Sequence, residues 1–247
     1  MDDRLQLQEL EERALNAWPA RQSVLFGGWV FRISGGFTKR ANSANAIHPT
    51  APFDDVRSAA ETLYARHSLP AIFRVSPLAG AEADRELERA GYQVFDPSLV
   101  MTAPVERSGL PADVEITEAP TGPWLEGIAA ANAVTERQRE IHDLMVSLIP
   151  MQTAFATLRH GGEAVGFGLA VREGDYVGLF DIVVSPASRG RGCGLALTEA
   201  LLGWGRRAGA SQAYLQVRAD NEAACRLYTR LGFRCAYRYH YRVPVML

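Results

Sequence analysis

Lysine is nearly missing from this chain: Lys39 is the only one among the 26 lysine and arginine residues. A phosphate-binding P-loop needs a lysine directly after its last glycine, so none can form around the glycine-rich run at 190–194. Cysteine is also scarce. Cys193, Cys225 and Cys235 are odd in number and include no C-x-x-C. That excludes a disulfide framework and a cysteine metal site, and points to reduced thiols in a cytoplasmic protein. No apolar run is long enough to cross a bilayer. The amino terminus is acidic and amphipathic, without the apolar centre of a signal sequence. There is no surplus of positive charge either. A net charge of −2 and a pI of about 6.2 argue against nucleic acid as a partner. What remains, 47% hydrophobic and 22% charged residues over 247 positions, is the composition of a globular protein with room for one large or two small domains.

The most informative stretch runs from Ser185 to Leu195. A short apolar segment, Gly178 to Val184, leads into it, and an apolar-periodic segment, Leu195 to Arg207, leaves it. A strand that turns through a glycine-rich basic loop into a helix aims several backbone N–H groups at one spot. That spot lies at the positive end of the helix dipole, where phosphate oxygens bind. Arg189 and Arg191 add full charge. The dinucleotide fingerprint G-x-G-x-x-G does not fit, because Gly190, Gly192 and Gly194 alternate and the sixth position is Leu195. Arg189-x-x-Gly192-x-Gly194 after a Val-Ser-Pro strand end resembles instead the acetyl-CoA pyrophosphate loop of the GNAT superfamily of N-acetyltransferases. Downstream, Tyr214 to Phe233 is similar to a later block of that superfamily: an asparagine (Asn221) after a strand, a helix carrying Ala224 and Leu227-Tyr228, and a close at Gly232-Phe233. The likeness covers roughly Val114 to Leu247.

The resemblance implies an α/β fold with a mixed, splayed sheet, and an acetyl-CoA-dependent transfer by direct attack of an amine in a ternary complex. No metal is involved, and the substrate is a primary amine of a small molecule or peptide. It implies that Arg189, Gly190, Arg191, Gly192, Cys193, Gly194 and Leu195 hold the pyrophosphate, with Asn221 and Ala224 on the cofactor arm. Backbone groups of the Ile182-Val183-Val184 segment take the acetyl carbonyl and pantetheine amides. Tyr228 matches the tyrosine that protonates the departing thiolate. Asp181, just before that segment, is the candidate general base, and alternation places it on the face opposite Phe180 and Ile182. Glu136, Glu140 and His142 are lesser candidates expected at the surface. Cys193 reads as a tolerated small residue, not a nucleophile. Two other readings stay open: transfer of a different acyl group, and a non-catalytic acyl-CoA-binding sensor. Homodimers are common in the superfamily, although tandem halves can make the same contacts within one chain.

The organisation supports such tandem halves. Helices are expected at Leu5–Trp18, Phe53–His67, Ala81–Ala90, Pro123–Ala131, Glu136–Leu148, Leu195–Arg207 and Asn221–Leu231. Alternation gives a hairpin around Gly161-Gly162, a strand from Tyr176 to Ser185, another from Gln212 to Arg218, and a closing pair of strands over Phe233–Val245. The pattern strand, helix, glycine-aromatic, strand at Ala71–Tyr92 echoes Ala213–Phe233, which suggests two related units. The expected division is a degenerate GNAT-like domain over 1–105, lacking the loop motif, and a catalytic domain over 112–247, with a linker at 103–111. The polar segment Gly35–Asn45, expected to be a solvated loop, and the aromatic-polar closing hairpin at Tyr237–Tyr241 are candidates for substrate selection.

Overall fold

The computed structural model describes residues 3–105, 111 and 113–245. The chain divides into two compact α/β units, and no single cut separates them. One runs from the amino terminus to Val100 and takes in Val217–Asn221 and the chain from Cys235 onward; the other comprises Met101–Gln216 and Glu222–Arg234. Residues 217–221 and 235–245 thus fold with the first unit rather than the second, where the sequence reading put them. The expected linker falls partly in the strand Gln93–Pro104, and its residues 106–110 lie outside the described residues.

In the first unit, α1 (Asp3–Ala17) precedes an antiparallel hairpin of β1 (Gln22–Phe26) and β2 (Trp29–Ile33). Next come β3 (Ala44–Ala46), α2 (Phe53–Arg66), β4 (Phe73–Val75), α3 (Gly80–Arg89) and β5 (Gln93–Pro104). β3 pairs antiparallel with β2 and parallel with β4. The core gathers Trp29, Phe31, Phe73, Tyr64, Leu87 and Tyr92, the side chains that strand alternation and helix periodicity place on one side. The Gly35–Asn45 segment corrects its expectation. It carries a 3-10 turn and β3, and residues 41–46 are buried. Asn42 explains why a polar segment can go inside. Its side-chain oxygen accepts from the N–H groups of Ser34 (2.7 Å) and Gly36 (2.9 Å), and its amide donates to the Thr38 carbonyl (2.8 Å).

The end of the chain is a second correction. Instead of a hairpin it forms one long strand, β11 (Arg234–Val243), antiparallel to β4 with Tyr241 opposite Arg74. Polar side chains hold it there. Arg74 pairs with Glu11 of α1, which also accepts from the Tyr237 hydroxyl, and the Arg74 guanidinium lies 3.7 Å from the Tyr239 ring centre. Asp84 accepts from Arg242 Nε at 2.7 Å and lies 2.9 Å from His240 Nε2.

The second unit contains β6 (Val114–Thr117), α4 (Gly122–Asn132), α5 (Glu136–Ser147), β7 (Gln152–His160), β8 (Glu163–Glu173), β9 (Tyr176–Val184), α6 (Cys193–Arg207), β10 (Gln212–Arg218) and α7 (Glu222–Arg230). β6 to β9 form an antiparallel meander, turned between β7 and β8 by Gly161 and Gly162 at φ +60° and +87°. β10 joins β9 in parallel. Helices cover both faces. A methyl on Gly127 of α4 would strike Phe167, while methyls on Gly166 and Gly168 would strike Leu197 and Leu201 of α6. Because 166, 167 and 168 alternate, α4 and α6 lie on opposite sides of β8.

Candidate active site

α6 begins after Gly192, which sits at φ +82°, with Gly190 at φ +75°. Both angles suit glycine and disfavour other residues. The first helical hydrogen bond runs from Ala196 N–H to the Gly192 carbonyl at 3.0 Å. A glycine N-cap supplies no side chain to the N–H groups of Cys193, Gly194 and Leu195, and the first turn holds no acidic residue. Residues 189–192 are exposed, so this positive helix end opens to solvent. Arg189 folds back, its Nε donating to the Val184 carbonyl at 3.2 Å, which pins the loop to the end of β9.

β9 pairs with β10 only from Tyr176 to Leu179, where Leu179 stands opposite Leu215. Beyond that point the ladder stops, and residues 181–184 turn from buried to half-buried. On its other side β9 skips a register against β8, so that Asp181 and Ile182 together oppose Gly168. Asp181 takes φ +49° there, the left-handed conformation of a bulge. The bulge overturns the alternation expected for Asp181. Val177 packs under Gly205 of α6, so Phe180 faces the other side; Asp181 joins Phe180 there and meets α5.

The residue it meets is His142, the principal surprise of the site. Expected at the surface, His142 is buried, while Glu136 and Glu140 are exposed as anticipated. Its Nε2 lies 2.7 Å from Asp181 Oδ2. Its ring stacks on Trp124 of α4 at 6.1 Å and 17°, and Trp124 Nε1 is tied to the Ala156 carbonyl at 3.1 Å. A capping box, in which Thr135 and Gln138 satisfy each other's backbone N–H groups, fixes where α5 starts and therefore where His142 lands. Burial works against a charge on His142, but Asp181 and then Asp143 outweigh it and raise its pKa above the ordinary value. Sequence spacing gave no sign of the pair, because 39 positions separate its members. Only the bulge brings them together.

Tyr228 is buried in α7, edge-on to Phe233 at 5.8 Å. Burial, helped by nearby Cys225, pushes its pKa up to about 12, so the phenol keeps its proton across the neutral range. Its neighbour Leu227 would lie 3.4 Å from a methyl on Gly194, which puts α7 beside the opening of α6. Asn221 directly precedes α7, its N–H donating to the Arg218 carbonyl at 3.1 Å, and Ala224 lies half-buried in the first turn. Thus the loop, the splayed end of β9 and α7 converge, while Tyr237–Tyr241 belongs to the first unit. Among the described residues no group of three or more His, Cys, Asp or Glu is placed to hold a metal, and no helix is long and apolar enough to cross a membrane.

Comparison with known proteins bears on the family and the fold. Residues 5–242 match the family described as "Probable histone acetyltransferase Rv0428c C-terminal". The chain is 30% identical over 251 residues to the "Uncharacterized N-acetyltransferase YobR" of Bacillus subtilis, covering 98% of this chain and 99% of that one. A GCN5-related N-acetyltransferase from Kribbella flavida superposes with a TM-score of 0.72 at 17% identity, over 97% of this chain and 96% of that one. A tandem GNAT protein from the clavulanic acid biosynthesis pathway superposes with a TM-score of 0.64 at 13% identity, over 95% and 86%. At such identities the two structures speak for the fold alone.

Proposed function

Since the chain belongs to the GNAT family of N-acetyltransferases, we propose that its second unit transfers acetyl from acetyl-CoA to a primary amine of a small molecule or peptide, by direct attack in a ternary complex. The observation that carries this reading is the parting of β9 from β10 after Leu179, next to the uncapped glycine start of α6. The residues suit the group. Open N–H groups at 193–195, the helix dipole and the exposed Arg191 fit a pyrophosphate, and no carboxylate in that turn repels it. Bound there, acetyl-CoA supplies the activated acetyl group.

The chain's own residues then divide the remaining tasks. Backbone N–H groups along the unpaired edge of β9 at Ile182 and Val184 suit a carbonyl oxygen that gains negative charge, and such donors are worth roughly 3–4 kcal/mol each in acyl transfer. A lysine-like amine has a pKa near 10.4, so only about one molecule in a thousand is neutral at pH 7. The Asp181 carboxylate accepts the surplus proton. Tyr228 holds the proton that the departing sulfur requires.

Titration calorimetry with acetyl-CoA, followed by CoA thiol release with kanamycin, spermidine and alaninamide, tests this reading. Wild-type protein binds acetyl-CoA and releases thiol with at least one amine. Tyr228→Phe binds equally well but turns over about 100-fold more slowly. Binding without release by the wild type marks a sensor; absence of binding removes the reading altogether.

A further inference from the structure

Asp181 does not stand alone in the second unit. Its side chain is 15% exposed and that of His142 only 6%, so the carboxylate reaches the open end of β9 while the imidazole sits behind it. One carboxylate oxygen takes the hydrogen bond from His142 Nε2 at 2.7 Å. The imidazole cannot easily swing away, being stacked on Trp124, which is itself anchored to β7. The bulged backbone at Asp181 adds a second constraint, because a non-glycine residue at positive φ persists only where its surroundings hold it there. Strain, burial and a short hydrogen bond at the mouth of the splayed strands are more than core packing requires. A leucine would fill the same volume as His142 without a buried polar ring.

We infer that His142 is the positioning residue of the base: it holds the Asp181 carboxylate toward the substrate's ammonium group and lets it accept a proton only while its own ring is neutral. The inference rests on the transferase reading above and names its substrate class, an amine that arrives protonated. In the step, an N–H bond of the ammonium breaks and an O–H bond forms on the carboxylate oxygen that His142 does not engage. The electron pair stays on nitrogen and no redox partner is involved. When His142 is protonated, its charge neutralises Asp181 and weakens it as a base. The groups facing the ring are Asp181 from β9 and Asp143 on its own helix, whose Oδ1 is 3.6 Å from Nδ1. Asp143 is in turn 3.7 Å from Arg139, which reaches Glu126 of α4 at 3.9 Å. Both carboxylates next to the ring favour its charged form, so the switch lies above the ordinary histidine range.

Two measurements on the full chain test this. First, NMR titration of the His142 ring needs neither amine nor thioester. Its midpoint lies above about 6.5 in the wild type and falls in Asp181→Asn; a midpoint at or below that value, or one unmoved by Asp181→Asn, overturns the pairing. Second, kcat/KM for whichever of kanamycin, spermidine and alaninamide is acetylated is followed from pH 6 to 9.5. His142→Gln keeps a donor for Asp181 but cannot charge. At pH 9 it stays within about threefold of wild type while His142→Ala drops about 10- to 100-fold. Because the amine arrives protonated, only the ring shapes the approach to low pH: the wild-type logarithmic slope approaches one and that of His142→Gln stays near zero. Parallel profiles for wild type and His142→Gln overturn the inference, since a merely structural histidine changes the level and not the shape. Should no amine release thiol with wild type, the transferase reading fails, and the NMR titration alone decides the pairing.

Discussion

A single residue in an unfavourable conformation organises the site. Left-handed backbone costs a non-glycine residue about 1–2 kcal/mol, less for aspartate than for most. At Asp181 the return is a carboxylate turned to the α5 side of the sheet, where His142 waits. The pair has a consequence for stability as well as chemistry. Burial disfavours charge on His142, and Asp181 and Asp143 more than offset it, so its folded pKa stands above its unfolded one. A raised pKa contributes stability that is fully present below the unfolded value, about 6.5, and is lost as pH rises through the folded value. Urea unfolding of wild type and His142→Gln at pH 5.5 and pH 9 is therefore expected to give a larger wild-type advantage at pH 5.5. An equal gap at both values means that no proton is linked to the pair.

Among the elements, those with strong periodicity were legible from sequence. β10 falls where alternation placed it, and α6 starts two residues earlier than expected because Gly192 serves as its cap. The glycine turn into α6 was readable since its conformation is local. Four features were not: β3, which is three residues held in place by neighbouring strands; the burial of Asn42 and Asn45; the side to which the bulge of β9 turns Asp181; and the contact of His142 with a residue 39 positions away. Each depends on partners distant in the chain, which no window of sequence contains. Gly205 shows how packing overrules a local rule. Glycine inside a helix costs about 1 kcal/mol relative to alanine, so Gly205→Ala ought to stabilise α6. A methyl there, however, would lie 2.8–2.9 Å from three atoms of Val177, a fully buried residue of β9. Overpacking of that kind costs about 1–3 kcal/mol. The variant is expected to lose up to about 2 kcal/mol net in urea unfolding, with the loss in the second unit; a gain in stability means that α6 can lift off β9 at little cost.

For the whole molecule, the internal echo has an unexpected outcome. β5 follows α3 as β11 follows α7, so the two strands are counterparts, yet β11 pairs with β4 in the first unit. The last residues of β5, from Met101, and Val105 after it belong to the second unit, where Val105 N–H donates to the Ser211 carbonyl at 2.8 Å and its carbonyl accepts from Arg206 at 3.1 Å. Each unit is therefore completed by the part of the chain that follows the other's helix. The buried Arg74–Glu11 pair depends on this, for the Tyr237 hydroxyl donates to Glu11 and the Tyr239 ring covers the guanidinium. Without β11, the ion pair stays joined but loses the hydroxyl and the aromatic ring that cover it, and β4 loses its antiparallel partner. Fragments cut at the linker, residues 1–111 and 112–247, are accordingly expected to lack cooperative unfolding when expressed separately. Mixed together, they should regain the circular dichroism and sharp urea transition of the intact chain. If either fragment alone unfolds as cooperatively as the intact protein, the exchanged strands are not needed for folding, and the two halves are independent domains joined by a tether.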